Sequence, residues 1–517
     1  MILLKIICKI NIVIVISLSS INAFAQTNTI KILTDLGTNY DYSYSIAFQD
    51  DGKVIVAGDA WGTPCLIRFD TTGGLDNTFG IGGKVFTSWN CSSNPADNDI
   101  RIQQDGKIIL GTRYYNGSDD DFILARFNSD GSPDLSFGDN GQVISSIGSY
   151  NDWCNAIAIQ PDGKILAAGG TNNAPASNYN YNFALIRYNA DGSIDSTFGN
   201  NGITITNIGL SNNIAYSMVI QQNNKIILVG EANDSIFSDF ALARYKTDGS
   251  LDSDFGNGGI VRTPVSTTYD FAKSIDLQPD GKILVAGSAQ SSLSNYNFAL
   301  VRYELDGSLD NTFGVNGIVL TDIGSDFGEA VTIQPDEKII LAGSFTNGTI
   351  YDFATLRYNN DGALDYTFGT NGLISTSFGN GDSEGKAVTL GNDGEIIVTG
   401  SYNPGSPNYF DFAMVRLFSS ISIGFIDIDE NLANLLLYPN PTQSDFEINY
   451  SLRSSQEVTI LLRDIQGKII QRFTDNQLMQ SGNHTETFYL NNSISSGQYF
   501  LEIRTSNYKK SIKIIKK

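Results

Sequence analysis

Residues 306–319, DGSLDNTFGVNGIV, recur along the chain and decide how it folds. Five relatives of this stretch occupy residues 74–85, 130–143, 191–204, 248–261 and 361–374. All six copies contain a Phe-Gly pair, and successive phenylalanines are 58, 61, 57, 58 and 55 residues apart: Phe79, Phe137, Phe198, Phe255, Phe313 and Phe368. A regular period of this length indicates an array of similar structural units.

Two further phrases recur seven times with the same period, LQPDGKILVAG (residues 277–287) and FALVRY (residues 298–303). The apolar segments are short, rich in β-branched or aromatic residues, and bounded by Gly, Pro, Asn or Asp, which is typical of β-strands. The PDGK between two apolar runs predicts a hairpin turn. Each unit of about 57 residues is therefore predicted to form four antiparallel strands.

Seven such units predict an all-β fold, a seven-bladed β-propeller over residues 26–418. An open β-solenoid is the competing array, but its repeats are usually shorter and it needs caps that the sequence does not show. Two arrangements of the blade stay open. The predicted strand that begins with GIV, at residues 317–319 in the quoted copy, can take either edge of the blade. If it is innermost, every blade is contiguous in sequence. If it is outermost, the first such strand, residues 30–34, must close the last blade.

The acids and glycines of the repeated stretch invite a metal or phosphate interpretation, which their spacing does not support. With Gly307 at the sixth position of a calcium loop, the twelfth position, which needs a bidentate acid, is Phe313. The FGVNG segment leads into a strand, whereas a phosphate cradle needs a helix N-terminus. We interpret DG and NG as turn residues with positive φ and the phenylalanine as a plug between blades.

A second regularity joins the repeated phrases, because an arginine precedes an aspartate by eight residues in six copies. The fixed offset predicts a charge-assisted pair within each blade: Arg68 and Asp76, Arg126 and Asp134, Arg187 and Asp195, Arg244 and Asp252, Arg302 and Asp310, and Arg357 and Asp365. The seventh arginine, Arg416, has Gly424 at that offset. The alternative is a ring of seven arginines that binds an anionic ligand in the channel.

The N-terminal residues indicate export. Lys5 and Lys9 precede an apolar stretch, residues 10–18, and Ala23-Phe24-Ala25 follows it. Residues 1–25 are therefore predicted to be a secretory signal peptide. An N-terminal membrane helix is the alternative, although the stretch is short for a bilayer span. No membrane span is expected after signal removal. Without the two lysines, 31 basic residues face 55 acidic residues, a net charge of −24, which argues against nucleic acid or an anionic membrane as partner.

Composition restricts the chemistry that the chain can perform. The single histidine, His484, lies near the C-terminus, so histidine-dependent nucleophile systems and multi-histidine metal sites are excluded from the repeats. We assign no catalytic residue, no cofactor-binding residue and no metal ligand, and expect no cofactor. Three cysteines follow the predicted signal, and Cys91 and Cys154, which precede equivalent strands of adjacent units, are candidates for a disulfide.

Sequence variation is concentrated in the loops that precede the FALVRY strands. These loops are rich in Asn, Ser and Tyr, as in residues 171–182, 288–297 and 401–411. They are expected on one side of the disc, where such residues suit saccharide or protein ligands. The same composition is also ordinary for solvated loops.

The repeat ends near Leu417, a linker follows over residues 419–436, and residues 437–517 predict a small antiparallel β-sandwich. LYPNP from Leu437, LRDIQGKII from Leu462, SSGQYFLEI from Ser495 and KIIKK from Lys513 resemble the C-terminal sorting domain of the type IX secretion system of Bacteroidetes. That resemblance implies passage through the periplasm, recognition by the outer-membrane translocon, and a final location at the cell surface or in the medium. The LDNTFG and QPDGKILVAG array resembles the delta-60 repeat propellers, which implies a fold and no settled activity.

The leading functional hypothesis is a non-enzymatic secreted or surface propeller that binds a glycan or a protein. The alternative is a secreted glycan-degrading enzyme with a carboxylate pair at the channel mouth, because such chemistry needs no histidine. A structural component of an extracellular assembly differs from the first hypothesis only in its partner. The enzyme hypothesis requires two facing acids outside the repeated positions, which the sequence alone does not reveal.

Overall fold

The computed structural model describes residues 28–517 except 39, 90, 92–97, 174–179, 235, 293–294, 347, 393, 406–408, 419–431, 439–441, 443, 453–454, 465–467, 492–493, 506–508 and 517. The chain separates into two compact units, divided between residues 421 and 422. The predicted signal peptide and most of the predicted linker lie outside the described residues. The described residues form strands, and no helix long and apolar enough to cross a membrane is found among them.

The first unit consists of seven four-stranded antiparallel sheets, as the repeat predicts. Blade 1 comprises β2 (Asp41–Phe48), β3 (Val54–Ala60), β4 (Thr63–Phe69) and β5 (Lys84–Phe86). Blade 2 comprises β6 (Asp99–Ile102), β7 (Ile108–Tyr115), β8 (Asp120–Phe127) and β9 (Gln142–Ser145), and blade 3 comprises β10 (Asp152–Ile159), β11 (Ile165–Asn172), β12 (Tyr181–Tyr188) and β13 (Ile203–Thr206). Blade 4 comprises β14 (Asn213–Ile220), β15 (Ile226–Asn233), β16 (Ser238–Tyr245) and β17 (Ile260–Thr263).

The remaining blades follow the same order. Blade 5 comprises β18 (Asp270–Leu277), β19 (Ile283–Ser292), β20 (Asn295–Tyr303) and β21 (Ile318–Thr321), and blade 6 comprises β22 (Ser325–Ile333), β23 (Ile339–Thr346), β24 (Tyr351–Tyr358) and β25 (Leu373–Thr376). Blade 7 comprises β26 (Ser383–Leu390), β27 (Ile396–Tyr402), β28 (Asp411–Phe418) and, from the other end of the chain, β1 (Asn28–Thr34).

The position of β1 decides between the two blade arrangements left open by the sequence. The first strands of all blades line the central channel, so the GIV strand is outermost. β1 occupies the outermost place of blade 7 and pairs with β28 from Asn28↔Phe418 to Thr34↔Phe412. The N-terminal strand therefore closes the ring.

The continuous apolar run of each second strand is explained by burial on both faces. In β15, Ile226 and Leu228 pack in the cluster shared with blade 3, whereas Ile227 and Val229 pack against blade 5. All four side chains are fully buried. Alternate residues of one strand thus hold two blade interfaces together, and burial of each such side chain contributes roughly 1.5–3 kcal/mol.

The repeated DGSLDNTFGVNGIV stretch, which connects the third and fourth strands of a blade, links each blade to its neighbour. We call it the corner stretch. The Gly256 N–H donates to the carbonyl of Asp306 in the next blade at 2.7 Å. Gly307 has φ +86°, and a Cβ there would lie 2.8 Å from the Phe255 ring of the preceding blade, so a residue larger than glycine would be strained and crowded. The Asp306 carboxylate accepts hydrogen bonds from the Ser308 N–H and hydroxyl, which makes it a turn former.

The predicted arginine–aspartate pairs are present in all six copies. Arg302 Nε lies 2.7 Å from Asp310 Oδ2, and its guanidinium covers the Phe313 ring at 4.5 Å. Lys282 also reaches Asp310 at 2.7 Å. Burial alone would raise the pKa of Asp310, but hydrogen bonds from Lys282 and Thr312 lower it below its ordinary value. Because these guanidinium groups are buried against carboxylates, the alternative of an anion-binding arginine ring is wrong.

The second unit is a two-layer sandwich. One sheet contains β29 (Leu432–Tyr438), β30 (Asp445–Leu452) and β33 (Gly482–Tyr489). The other has the order β32 (Ile469–Met479), β31 (Gln456–Arg463), β34 (Gly497–Thr505) and β35 (Lys509–Lys516). Both sheets contribute buried side chains to one core, including Ile448, Ile460 and Leu501.

The candidate disulfide between Cys91 and Cys154 is not formed. Cys65, Cys91 and Cys154 are all buried free thiols. The Cys91 Sγ donates to the carbonyl of Arg113 at 3.2 Å. Burial raises the pKa of Cys91 to about 12, so this thiol is not a reactive nucleophile near neutral pH.

Candidate functional site

The first strands of the seven blades enclose a central channel with a cavity of about 680 Å³. First and third strands of a blade begin at the same end of this channel, because each is antiparallel to the second strand. We call that end the upper face. The PDGK turns and the corner stretches lie at the opposite, lower face.

In six blades a β-bulge of the first strand places one side chain in the channel. In blade 5, Ala272 pairs with Gly287 and Ser274 pairs with Ala286, so Lys273 between them has no partner. The same shift occurs in blades 1, 3, 4, 6 and 7, and Asn98 occupies the equivalent position before β6. We call these cavity-lining residues the channel ring: Tyr44, Asn98, Asn155, Tyr216, Lys273, Glu329 and Lys386.

The glycine that ends the repeated VAG phrase accounts for the bulge. A Cβ on Gly287 would lie 1.9 Å from the carbonyl oxygen of Phe271, and one on Gly343 would lie equally close to that of Phe327. Only glycine allows the first strand to approach so closely. A residue kept for backbone packing thus directs a variable residue into the channel.

The ring residues of blades 4 to 7 form a chain of polar contacts. Lys386 Nζ lies 2.8 Å from Glu329 Oε1. Lys273 Nζ lies 3.8 Å from the centre of the Tyr216 ring, and the Tyr216 hydroxyl donates to Glu231 Oε1 at 2.9 Å. Among the described residues, no carboxylate lies within salt-bridge distance of Lys273.

The two acids in this series of polar contacts, Glu231 and Glu329, have pKa values displaced in opposite directions. Burial raises the pKa of Glu231, against the effects of Lys273 and the Tyr216 hydroxyl. Burial would also raise the pKa of Glu329, but the ammonium groups of Lys386 and Lys273 lower it below its ordinary value. Such a divergence is found in acid–base pairs and also in structural ion-pair networks.

The opposite arc of the channel is held by bonds between blades. Asp99 Oδ1 accepts hydrogen bonds from the Ser45 hydroxyl at 2.8 Å and from Arg101 at 2.5 Å. Asp99 Oδ2 accepts from the Ile157 N–H at 2.9 Å, and the Asn155 amide donates to the carbonyl of Ala215 at 2.9 Å. These side chains therefore connect blades 1 to 4.

A row of aromatic rings borders the upper mouth along blades 4 to 6. The rings follow one another at centroid separations of 5.5, 6.4, 6.0, 5.2 and 5.9 Å, and we call them the aromatic crescent: Phe237, Tyr269, Phe271, Tyr296, Phe327 and Tyr351. Phe237 and Tyr269 are 36% and 37% exposed, and the other four are half-buried. Phe271 and Phe327 each lie two residues before a ring residue.

An acidic cluster near the same face has a structural explanation. Carboxylate oxygens of Asp35, Asp41 and Asp411 lie within 4.8 Å of one another. Asp41 accepts hydrogen bonds from the Leu36 N–H at 2.8 Å and the Thr38 hydroxyl. Equivalent aspartates cap the same turn in other blades, as Asp152 does for the Ile147 N–H. Burial raises the pKa of Asp41 to about 6, and we assign no metal to the cluster.

The Asn- and Tyr-rich loops predicted from the sequence account for only part of the variable residues at the upper face and the channel. Of the Asn- and Tyr-rich loops, Tyr296 joins the crescent and Tyr181 stacks on Trp153 at 4.2 Å. Residues 174–179, 293–294 and 406–408 of these loops lie outside the described residues. The channel ring was missed, although each member stands five residues before the Gln, or the Gly in blade 7, that precedes the PDGK-type turn.

Family models match the chain in two regions. The first, "Domain of unknown function (DUF5122) beta-propeller", matches residues 49–79, 103–137, 160–198, 221–255, 278–313 and 334–368. The second, "Secretion system C-terminal sorting domain", matches residues 436–517. The chain carries DUF5122 propeller repeats and a secretion-system sorting domain. Both resemblances drawn from the sequence are thereby confirmed, and the sorting domain marks the DUF5122 propeller as a secreted or outer-surface protein.

Solved structures similar to the DUF5122 propeller have low sequence identity. "Streptogramin B lyase structure" has a TM-score of 0.47 at 12% identity, covering 76% of this chain and 99% of that one. A virginiamycin B lyase from Staphylococcus aureus has a TM-score of 0.45 at 13% identity, covering 76% and 100%. A protein of unknown function from Dyadobacter fermentans has a TM-score of 0.39 at 14% identity, covering 62% and 94%. These similarities carry no information about activity, and no curated protein matches the chain.

Proposed function

We propose that the protein is a cell-surface or released binding scaffold whose upper face holds a glycan. The aromatic crescent carries this proposal. Six rings in mutual contact, with Phe237 and Tyr269 more than one third exposed, form an apolar surface beside a polar channel. Pyranose rings present apolar C–H faces and hydroxyl edges, so this combination suits a saccharide chain.

The export route belongs to the same proposal. Residues 1–25 act as the signal for transfer to the periplasm, and residues 437–517 are recognised by a type IX translocon of the Bacteroidetes type. The positive sorting unit, with ten basic and seven acidic residues from Leu437 onward, differs in charge from the acidic propeller. We further propose that the sorting domain is removed once the propeller reaches the surface.

A glycan array tests the binding function. Tyr296→Ala and Phe237→Ala should abolish or strongly weaken binding to the glycans that the unmodified protein retains. Ile81→Ala is the matched control, because Ile81 is a 91% exposed apolar residue of a lower-face corner. Equal loss in the control variant, or binding unaffected by both crescent changes, would contradict the proposal.

A second candidate, a secreted glycan-degrading enzyme, is favoured by one observation. Glu231 and Glu329 are acids outside the repeated positions, both lie near Lys273, and their pKa values are displaced in opposite directions. Reducing-sugar release from the same glycans distinguishes the candidates. Release that disappears in Glu231→Gln and in Glu329→Gln would establish the enzyme, whereas binding without release leaves the scaffold.

A further inference from the structure

The ring residues of blades 4 to 7 alternate hydrogen-bond donors with acceptors. Going round the channel, the order is the Tyr216 hydroxyl with its acceptor Glu231, then Lys273, Glu329 and Lys386. A vicinal diol needs this alternation, because each hydroxyl both donates and accepts a hydrogen bond. The side chains come from four different blades, so no local sequence motif creates the pattern.

Two residues of this series of polar contacts, Lys273 and Glu329, can still form hydrogen bonds with a ligand. Lys273 Nζ contacts the Tyr216 ring face, and this contact does not engage its N–H groups in hydrogen bonds. Glu329 uses Oε1 for Lys386, and Oε2 receives no hydrogen bond from a described residue. Both side chains line the channel cavity. An ammonium donor and a carboxylate acceptor thus stand next to each other on adjacent blades.

The charges around this pair favour a neutral ligand. A carboxylate or sulfate near Lys273 would also approach Glu231 and Glu329, whose charges interact with that lysine. A ligand ammonium near Glu329 would meet Lys386 at the other side of the carboxylate. An anionic or a cationic ligand would therefore make each attractive contact together with a repulsive contact to a like charge. Hydroxyl groups can bond to both residues without repulsion.

The crescent leads directly to this pair. Phe271 and Phe327 precede Lys273 and Glu329 by two residues on β18 and β22, about 6.6 Å along a strand. A pyranose at the inner end of the crescent would therefore have its hydroxyl edge at the level of the channel ring. The cavity of about 680 Å³ has room for it.

We propose that Lys273 and Glu329 form a subsite that binds adjacent hydroxyl groups of a neutral pyranose. This inference rests on the proposed glycan-binding function and specifies its ligand as a neutral hexose or pentose unit. Tyr216 and Glu231 are positioning residues: Glu231 orients the Tyr216 hydroxyl, and the Tyr216 ring supports the Lys273 ammonium. The competing interpretation is an ion-pair network that only stabilises the channel.

Calorimetric titration of the full chain with defined oligosaccharides tests the subsite. The neutral probes are cellohexaose, mannohexaose and xylohexaose, and the charged probes are hexagalacturonate and the chitosan hexamer. We expect at least one neutral probe to bind, and Lys273→Met and Glu329→Gln each to weaken it at least tenfold, because each removes a hydrogen bond to a charged group. Lys273→Arg, which keeps donors and charge, should retain more affinity than Lys273→Met.

The control is Lys246→Met, which removes the same charge from an exposed lower-face corner and should bind normally. Unchanged unfolding temperatures establish that the variants fold. Binding confined to the charged probes, or neutral binding that resists both Lys273→Met and Glu329→Gln, would overturn the subsite. If Tyr296→Ala still abolishes that binding, the proposed function survives without the subsite. No binding of any probe by the unmodified protein would contradict both.

Discussion

Arg416 is the repeated arginine whose partner lies upstream. In the other blades the aspartate stands eight residues later, and the lysine that immediately precedes the second strand joins it, as Lys338 joins Asp365. Blade 7 lacks that aspartate, and Glu395 replaces the lysine. Arg416 pairs with both oxygens of Glu395, at 2.6 and 2.8 Å, and donates to the Thr71 carbonyl of blade 1 at 2.9 Å. One charge reversal thus preserves the buried pair.

Glu395→Lys should destabilise the propeller, because it restores the common lysine but leaves Arg416 buried with no acid and a second cation. Loss of one partner from a buried pair costs about 3–5 kcal/mol. Urea unfolding followed by tryptophan fluorescence measures the change. Lys338→Met is the control, since Arg357 keeps Asp365 and the lost lysine is 29% exposed; its cost should stay below about 1 kcal/mol. Equal costs would contradict this account of blade 7.

Asp326 should make stability depend on pH. Burial raises its pKa from 3.8 to about 7, with Asp322 adding to the effect against the Ile323 N–H hydrogen bond. The folded state therefore prefers the protonated carboxyl. This contribution is fully present below pH 4 and is lost as pH rises through about 7. Blade 4 has Asn213 at the equivalent position, where its amide donates to the Tyr181 carbonyl at 3.1 Å.

Asp326→Asn should accordingly gain stability relative to the unmodified chain as pH rises from 4 to 8, by roughly 2–4 kcal/mol at most. Unfolding midpoints in urea across this range measure the difference. Asp306→Asn is the control, because Asp306 is exposed and its pKa is lowered by hydrogen bonds from Ser308. A difference that shrinks with rising pH would contradict the assignment.

At the scale of elements, the first strand of each blade combines a repeated backbone with a variable side chain. The glycine opposite the bulge is common to the blades, whereas the bulged residue changes from Tyr to Asn, Lys or Glu. Close packing and the lining of the channel thus depend on different residues of neighbouring strands. The channel lining can vary without altering the blade.

Gly343→Ala should disturb both the blade and the channel, because its Cβ would lie 1.9 Å from the Phe327 carbonyl. We expect a loss of more than about 2 kcal/mol in the free energy of unfolding, typical of severe overpacking. Ser344→Ala, the adjacent change, removes only a hydrogen bond from the Gly385 N–H at 3.1 Å and should cost about 1 kcal/mol. Similar costs for the two variants would show that the bulge tolerates a side chain.

The sequence predicted the features that depend on local chemistry. Strand segments, the PDGK turns, the positive φ of Gly307 and the Arg302–Asp310 pair all follow from composition and a fixed offset. The bulge was not predicted, because it arises from the contact of Gly287 with Phe271 across two strands. The crescent and the Lys273–Tyr216 contact join residues of different blades, and no spacing in one copy encodes them. The Arg416–Glu395 pair was missed because its acid occupies the lysine position.

At the scale of the whole molecule, the sorting domain and the proposed glycan-binding surface belong to separate units of the chain. Removing residues 437–517 should leave the propeller able to fold and should confine it to the periplasm. Fractionation and surface labelling of cells producing the truncated chain, with the full chain as reference, measure this. Undiminished surface display would contradict the sorting assignment.

The ring as a whole depends on β1. Ile32 packs in the core between blades 7 and 1, whereas the neighbouring Leu33 is 45% exposed. Ile32→Asn should lower stability by about 2 kcal/mol or more and accelerate proteolysis, and Leu33→Asn should do neither. Thermal unfolding and timed protease digestion compare the pair. Identical behaviour would mean that β1 does not hold the ring closed.

Closure by β1 also has a kinetic consequence. Pairing of Asn28 with Phe418 joins residues 390 positions apart, and closing such a loop from a flexible chain costs roughly 5 kcal/mol of entropy. We therefore expect the contacts of β1 with β28 to be the last to form on folding and the first to be lost on unfolding. For an exported protein exposed to proteases, we expect the rate of cleavage to follow how often the β1–β28 pairing opens. On this account, a strand of seven residues would limit the lifetime of the entire propeller.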